Sequence, residues 1–271
     1  MLAVYLDVAV DWQLGFQDPA NIFMRKLEGF HDWVMFLLVF LAIFIGWLIV
    51  RVVVLYLIQD TYYSPIHVVR VGDTGLLEIL FITIPTLLLF SILIPTFMYL
   101  FLTADLDTDY YLVLRLIGHQ WYWVAEISGL QFNLLFSNKG LAVSKYFSEN
   151  NMSIVIESIV QGDVDLKQGD LRLLEVNNRI VLPVNTGILL LTSSVDVIHS
   201  VGVPSLALKV DSIPGRLNGV ITYADRPGVY YGMCSELCGV NHYYMPLVLQ
   251  FVSHESFLRW IVLTIFGLSY T

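Results

Sequence analysis

Residues 234–245 read Cys-Ser-Glu-Leu-Cys-Gly-Val-Asn-His-Tyr-Tyr-Met, so that two thiols, an imidazole and a thioether fall within one short stretch. Cys234 and Cys238 are the two cysteines of the chain, and His242 and Met245 follow them closely. Thiolate, imidazole and thioether groups are soft to borderline ligands, which suit copper or zinc far better than magnesium or calcium. The stretch therefore predicts a metal site.

Three simpler interpretations compete with a pair of metal ions. A disulfide fits poorly if the segment is helical, because side chains four positions apart have Cβ atoms about 5–6 Å apart, whereas a disulfide prefers about 3.5–4.5 Å. A zinc site made of both cysteines, His242 and a distant histidine would leave Met245 without a role. A single blue copper uses one cysteine and two histidines, so one cysteine would be in excess.

Two copper ions would use all of these side chains, with both sulfurs bridging the metals and one imidazole terminating each. We predict that the second imidazole is His199, which lies in the strand-like run Val195-Asp-Val-Ile-His-Ser-Val-Gly-Val-Pro204. His254 follows a polar turn near the C-terminus, and we interpret it as a solvated surface histidine.

Several other motifs occur along the chain, namely Asp196-Val-Ile-His199-Ser, Ile213-Pro-Gly-Arg216, Tyr230-Tyr-Gly, Gly118-His-Gln-Trp-Tyr-Trp123, Arg172-Leu-Leu-Glu175, and Glu78 with Pro85. Together with the 234–245 stretch and Pro246, they resemble the motifs of subunit II of cytochrome c oxidase. The resemblance runs from about residue 30 to residue 252. Residues 129–170 match that family least, and we interpret them as a lineage-specific insertion, a surface hairpin for an accessory subunit.

The composition indicates a membrane protein. Hydrophobic residues make up 57% of the chain and charged residues 14%, with a mean hydropathy of +0.71, which is too apolar for an average soluble domain. Two apolar runs, 34–58 and 76–102, each exceed the roughly 20 residues that cross a membrane core as a helix. We expect four regions, namely an outer N-terminal segment (1–30), a transmembrane hairpin (31–103, with helices at about 32–58 and 76–102), a copper domain (104–256) and an apolar tail (257–271).

Beyond residue 104 the pattern changes to short β-rich runs separated by turn signals such as Pro214-Gly215 and Pro227-Gly228. Strands are predicted at 110–117, 120–127, 171–176, 179–184, 187–192, 195–201, 219–223, 229–233 and 247–252. The pattern indicates an all-β sandwich or small barrel. The family resemblance sharpens this to an α+β membrane protein, in which a cupredoxin-like Greek-key β-sandwich follows a two-helix transmembrane hairpin. We expect the tail to dock on a neighbouring subunit or on the membrane surface.

The resemblance also implies roles for single residues. The two copper ions would be bound by His199, Cys234, Cys238, His242, Met245 and the backbone carbonyl of Glu236. The side chain of Glu236 would bind a magnesium ion shared with subunit I. Trp121 would be the point at which electrons enter, and Glu78, a carboxylate within an apolar span, would mark the mouth of a proton path. Glu126 and Asp196 would be docking residues for a basic carrier.

The resemblance implies an electron-accepting subunit of cytochrome c oxidase. Its partners would be the haem-bearing subunit I, subunit III, cytochrome c, membrane lipid and, at the predicted insertion, accessory subunits, but no nucleic acid. Residues 1–18 are acidic and show no signal-peptide pattern. We therefore expect the mitochondrial inner membrane, with the copper domain in the intermembrane space, and a bacterial plasma membrane is the alternative. A metal-free docking subunit of a quinol oxidase and a membrane-tethered copper carrier are the competing functions.

Overall fold

The computed structural model describes residues 6–62, 75–104, 109–128 and 153–265. The chain separates into two compact units, one formed by Lys26–Phe101 and the other by Met1–Arg25 together with Leu102–Thr271. The first unit is helical, and the second is built on two β-sheets. The predicted fold class, two apolar helices followed by a β-sandwich, is therefore confirmed.

Helix α1 spans Ile22–Tyr62 and helix α2 spans Gly75–Ala104. Both are long and apolar enough to cross a membrane, with mean hydropathies of 2.8 and 2.4 in their candidate spans. Helix α1 begins earlier than the apolar run because Asn21 caps it. The side-chain oxygen of Asn21 accepts the backbone N–H of Met24 at 2.9 Å, which satisfies one of the free donors of the first turn.

Two sheets share one buried core in the β-domain. The strand order in the first sheet is β5 (Ile180–Pro183), β11 (Pro246–Val252), β10 (Gly228–Cys234), β7 (His199–Val203) and β8 (Leu208–Ser212), and the short β1 (Leu6–Asp7) also pairs with β10. The order in the second sheet is β4 (Ile154–Ser158), β3 (Tyr122–Ser128), β2 (Leu112–His119), β6 (Ile188–Ser194) and β9 (Asn218–Thr222). Alternate side chains of β2, β3 and β6 are buried, as in strands with one face on a core.

The C-terminal helix α3, His254–Ile265, packs on the β-domain of its own chain. Phe257, Trp260 and Ile261 are buried, and the helix lies beside β5. Nε2 of His254 is 2.9 Å from Oγ1 of the buried Thr186. The prediction that the tail docks elsewhere was therefore wrong for residues 257–265, because the sandwich itself covers the apolar face. The prediction of a solvated His254 was also wrong, because this residue is half-buried against Thr186. Residues 266–271 lie outside the described residues.

The predicted strand at 171–176 was wrong. Residues 172–174 form a turn, in which Leu173 has a φ of +66°. Leu171 and Leu174 pack on a small cluster that covers the outer face of the first sheet and includes Tyr231. An apolar run that covers a sheet has the same composition as a strand within one, so composition did not separate the two cases.

Two further differences concern strand limits. The strand predicted at 195–201 begins only at His199, since residues 195–198 form an exposed bend in which the Asp196 carboxylate accepts the N–H of Val197. Part of the predicted insertion is β4, which pairs with β3 and buries Ile154 and Ile156. That part is therefore a strand of the sandwich. Residues 129–152 of the predicted insertion lie outside the described residues.

Candidate metal centre

The predicted ligands meet at one end of the first sheet. His199 opens β7 and Cys234 closes β10, and these antiparallel strands are neighbours. The loop from β10 to β11 carries Cys238, then His242 in a short 3-10 turn, then Met245. The sheet thus holds one ligand on each of two strands, and the loop brings the others to them.

The sulfurs and imidazoles face one another. Cys234 Sγ lies 3.9 Å from Cys238 Sγ and 3.9 Å from His199 Nδ1, and Cys238 Sγ lies 3.6 Å from His242 Nδ1. A tetrahedral metal with ligand bonds of about 2.0–2.3 Å keeps its ligand atoms roughly 3.3–3.8 Å apart. The observed separations are close to that range. Both cysteines are free thiols, and their sulfurs are far beyond the disulfide bond length of about 2.05 Å.

Two weaker donors complete the group. Met245 Sδ lies 3.5 Å from Cys238 Sγ, and the backbone oxygen of Glu236 lies 3.3 Å from Cys234 Sγ. A thioether is typical of copper sites, whereas zinc sites use thiolate, imidazole and carboxylate. The donor set therefore fits copper better than zinc.

The two sides of this centre differ in how deeply they are buried. His199 is 0% exposed, and Cys234, Cys238 and Met245 are also buried. His242 is half-buried, and Glu236 is exposed at the edge of the loop. The centre therefore lies within the protein but close to its surface on the loop side.

Asp196 holds the imidazole of His199 on the side away from the cysteines. Its Oδ1 lies 2.8 Å from His199 Nε2, and its carboxylate also accepts the backbone N–H groups of Val197 and Gln120. Burial raises the pKa of the Asp196 carboxyl, but these hydrogen bonds outweigh burial and lower the pKa below its usual value. A carboxylate behind a ligand histidine fixes the ring orientation and makes the ligating nitrogen more basic.

The two thiols ionise unequally. Burial opposes ionisation of Cys234, but hydrogen bonding by His199 and by the backbone at Glu236 and Ser200 lowers its pKa below the usual thiol value. Burial and the negative charge of Cys234 raise the pKa of Cys238. A cation between the sulfurs would remove that repulsion, so metal binding is coupled to loss of the second proton.

Gly118 and Trp123 pack against ligands from the second sheet, where they pair with each other across β2 and β3. A Cβ atom on Gly118 would stand 2.7 Å from Cδ2 of His199. The Trp123 ring meets the His199 ring edge-on at 5.9 Å, and its Nε1 donates to the Met245 carbonyl at 3.3 Å. The sequence motif contains both residues, but its pattern did not show which ligands they contact.

Trp121 lies at the turn between β2 and β3 and is partly buried against the core. Its indole lies against Gly239, where a Cβ atom would stand 3.2 Å from Cζ2 of the ring. Gly239 follows Cys238 directly. Within the described part of the chain, the buried Nε1 of Trp121 makes no hydrogen bond. The structure thus places Trp121 beside the β10–β11 loop, which carries Cys238, His242 and Met245.

The two other predicted residues lie on other elements of the chain. Glu126 is on β3 and forms an ion pair with Arg115 at 2.7 Å. Glu78 is in the first turn of α2, in the helical unit, with an exposed side chain. The structure therefore gathers the predicted copper ligands, Asp196 and Trp121 in one place, whereas Glu126 pairs with Arg115 and Glu78 belongs to the helical unit.

Two family descriptions match the chain. Residues 112–252 match "Cytochrome C oxidase subunit II, periplasmic domain", and residues 9–99 match "Cytochrome C oxidase subunit II, transmembrane domain". The first match contains every predicted copper ligand, and the second contains both apolar runs apart from the last residues of α2.

The chain is also similar to individual proteins. Cytochrome c oxidase subunit 2 of Phytophthora megasperma is 41% identical over 257 residues, which cover 95% of this chain and 89% of that protein. The same-named protein of Cyanidium caldarium is 37% identical, and the match covers 94% of this chain and 92% of that protein. Cytochrome c oxidase subunit 2, mitochondrial, of Glycine max is 37% identical, and the match covers 94% of this chain and 60% of that protein. The crystal structure of the periplasmic domain of subunit II of cytochrome oxidase of Bradyrhizobium japonicum is 31% identical with a TM-score of 0.47, and the match covers 60% of this chain and 99% of that one.

Proposed function

Because the chain belongs to the cytochrome c oxidase subunit II family, we propose that it is the electron-accepting subunit of such an oxidase. Electrons would arrive from cytochrome c and pass to haem in the catalytic subunit, where oxygen is reduced to water and protons are translocated. The observation that carries the proposal is the convergence of His199, Cys234 and Cys238 at the end of the first sheet. A copper pair bound there would take up and release one electron at a time.

The donor count supports two copper ions. The Nδ1 atoms of His199 and His242, the sulfurs of Cys234, Cys238 and Met245, and the carbonyl oxygen of Glu236 offer six donor atoms. One tetrahedral ion uses only four ligands. Two ions held between both thiolates would have one imidazole and one weak donor available for each. Because the chain holds these donors in place, little rearrangement would accompany a change of charge.

Burial favours an electron relay over a copper carrier. A carrier must release its metal, whereas His199, Cys238 and Met245 are buried. A metal-free docking subunit of a quinol oxidase would have no use for the carboxylate that orients His199. The oriented and buried ligands therefore support permanent metal retention.

Trp121 is the proposed point at which electrons enter. Its indole lies against Gly239, next in sequence to Cys238, so the path from ring to ligand is short. Trp121 is only partly buried, and the exposed part of such a ring would suit contact with the edge of a haem in a partner protein.

Charge supports a basic electron donor. Residues 104–271 contain 10 Lys and Arg against 15 Asp and Glu, a net charge of −5. Such a surplus steers a cationic partner, and added salt weakens it. Glu126 and Asp196 remain the proposed docking carboxylates, although Arg115 pairs with the first and His199 with the second.

Two carboxylates are proposed to act with the catalytic subunit. The exposed Glu236 side chain would supply one ligand to a magnesium ion, which retains water and needs few protein groups. Glu78, in the first turn of an apolar helix, would lie at the mouth of a proton path. Subunits I and III are the proposed membrane partners. The mitochondrial inner membrane is the proposed location, with the copper domain in the intermembrane space, and the name of the Glycine max relative supports it.

Copper analysis of the purified oxidase tests this function. We expect two copper ions for each copy of this chain, and an electron paramagnetic resonance spectrum in which one unpaired electron is shared by two copper nuclei. Cys238→Ser should abolish the shared-electron spectrum. One zinc ion, or a spectrum of isolated copper, would contradict the proposal.

A further inference from the structure

Gln120 links the turn that carries Trp121 to two parts of the ligand set. It lies between β2 and β3, whose ends pair through His119 and Tyr122. Its side-chain Nε2 donates to the Cys238 carbonyl at 2.7 Å. Its backbone N–H donates to Asp196 Oδ2, also at 2.7 Å. One residue therefore makes two short hydrogen bonds toward the metal centre.

The first hydrogen bond, to the Cys238 carbonyl, holds the β10–β11 loop. Cys238 is followed by Gly239, which has a φ of +127°, a conformation that favours glycine. A Cβ atom on Gly239 would stand 3.1 Å from Nε2 of Gln120 and 3.4 Å from Nε1 of Trp121. The loop is therefore pressed against the turn, and the Gln120 amide ties the two together at a ligand residue.

The second hydrogen bond, to Asp196, connects the turn to the bend before β7. The Asp196 carboxylate that accepts the Gln120 N–H also meets His199 Nε2 at 2.8 Å. The β2–β3 turn is therefore bonded to a thiolate ligand through Cys238 and to an imidazole ligand through Asp196. These two ligands come from different parts of the first sheet, and the turn belongs to the second sheet.

We propose that Gln120 is a positioning residue that keeps the Cys238 loop closed over the metal centre and keeps the Trp121 ring against that loop. The inference rests on the proposed function, because it assigns Gln120 to the same copper site. Loss of the amide donor leaves the Cys238 carbonyl with weaker support and lets the loop move away from the turn. Residues that orient ligands in this way typically change metal affinity or activity by about 10–100-fold when they are replaced.

The test uses Gln120→Met in the intact oxidase, since methionine keeps the length of the side chain and removes the donor. Gln120→Glu is a second variant of nearly the same shape. The matched control is Gln161→Met, because Nε2 of Gln161 also donates to a backbone carbonyl, that of Asp165, at 2.7 Å in an exposed loop. The measurements are copper retention against a chelator, the copper spectrum, and the kcat and KM for reduced cytochrome c.

We expect both Gln120 variants to retain copper about tenfold less well than the wild type, with a changed copper hyperfine pattern and a lower kcat at unchanged KM. Gln161→Met should match the wild type. The inference is overturned if the Gln120 variants match Gln161→Met in copper retention and spectrum, or if only KM rises, which would indicate a docking contact. A wild-type oxidase without the copper pair would instead contradict the proposed function.

Discussion

Nε2 of His199 and Oδ1 of Asp196 lie 2.8 Å apart, on the opposite side of the ring from Cys234. The bend before β7 thus supplies the group that orients the ligand at the start of β7. Because the same carboxylate also accepts two backbone N–H groups, it cannot turn away without breaking several bonds. The imidazole therefore presents Nδ1 to the sulfurs in a fixed direction.

Removal of this carboxylate should weaken copper binding. We expect Asp196→Ala to lower copper affinity by about tenfold, as for other groups behind ligand histidines. Competition with a chelator measures the change. Asp163→Ala is the control, because Asp163 forms an exposed ion pair with Arg172. Equal copper retention in the two variants would show that Asp196 does not orient the ligand.

A methyl group beneath His199 should disturb the centre. In Gly118→Ala the new Cβ would stand 2.7 Å from the His199 ring, and we expect a loss of about 1–3 kcal/mol in the free energy of unfolding, as for other overpacked cores. Denaturant unfolding followed by tryptophan fluorescence measures it, and the copper spectrum should change as well. Gly162→Ala is the control, since among the described residues its Cβ would meet Asp165 Oδ2 at an ordinary contact distance of 3.6 Å. Similar results for both variants would contradict the close packing.

The ion pair between Glu175 and Arg179 should matter more than an exposed one. Arg179 donates to both carboxylate oxygens, at 2.8 and 2.9 Å, and Glu175 is buried. Arg179→Ala leaves the buried Glu175 carboxylate without its ion-pair partner and should lower the free energy of unfolding by about 3 kcal/mol. Arg172→Ala breaks the exposed pair with Asp163 and should lower the free energy of unfolding by less than about 1 kcal/mol. Denaturant midpoints of the two variants give the comparison, and a larger cost for Arg172→Ala would be inconsistent with it.

Alkaline pH should destabilise the β-domain in a defined range. Burial, helped by the negative charge of Glu175, raises the pKa of Tyr231 to about 12 from the ordinary 10.0. Between these values the unfolded state loses the phenolic proton and the folded state keeps it. The stabilisation is therefore complete below pH 10 and is lost as the pH rises toward 12, by about 1.4 kcal/mol per pH unit for each such group.

Melting temperatures at a series of pH values test this, with Tyr231→Phe as the comparison. The variant lacks the ionisable group, so its stability should fall less steeply above pH 10 than that of the wild type. Parallel curves would show that Tyr231 makes no contribution. Tyr230, whose pKa burial likewise raises to about 12, should account for part of the fall that remains.

Glu78→Gln should slow turnover of the oxidase and leave the copper spectrum unchanged. Turnover should slow because Glu78, in the first turn of α2, is the proposed mouth of a proton path. The copper spectrum should stay the same because Glu78 belongs to the unit that does not contain the predicted copper ligands. Oxygen consumption with cytochrome c measures the effect. Glu255→Gln is a matched control, because Glu255 also lies in the first turn of a helix. Unchanged oxygen consumption in Glu78→Gln would remove this residue from the proton path.

Much of the architecture could be predicted because its signals are local. Run length and hydropathy marked both membrane helices, since a span needs only enough consecutive apolar residues. The β-strands around the core showed alternation and turn residues. The prediction failed at Leu171 and Leu174, which cover a sheet from outside, and at Phe257 and Trp260, whose apolar helix face packs on its own domain. Those outcomes depend on which surface of the folded chain each apolar face packs against, and the residue pattern does not specify that surface.

The chemical groups available to a metal follow from residue order alone, because Cys234, Cys238, His242 and Met245 are close along the chain and their donor atoms are a property of residue type. The surroundings of these groups depend on how distant segments pack together. His199 joins them because β7 pairs with β10, and Gly118, Gln120 and Asp196 reach the ligands because the second sheet and the 195–198 bend pack against that end of the first. Contacts of this kind are set by strand pairing and close packing between distant segments, which leave no periodic or local mark in the sequence.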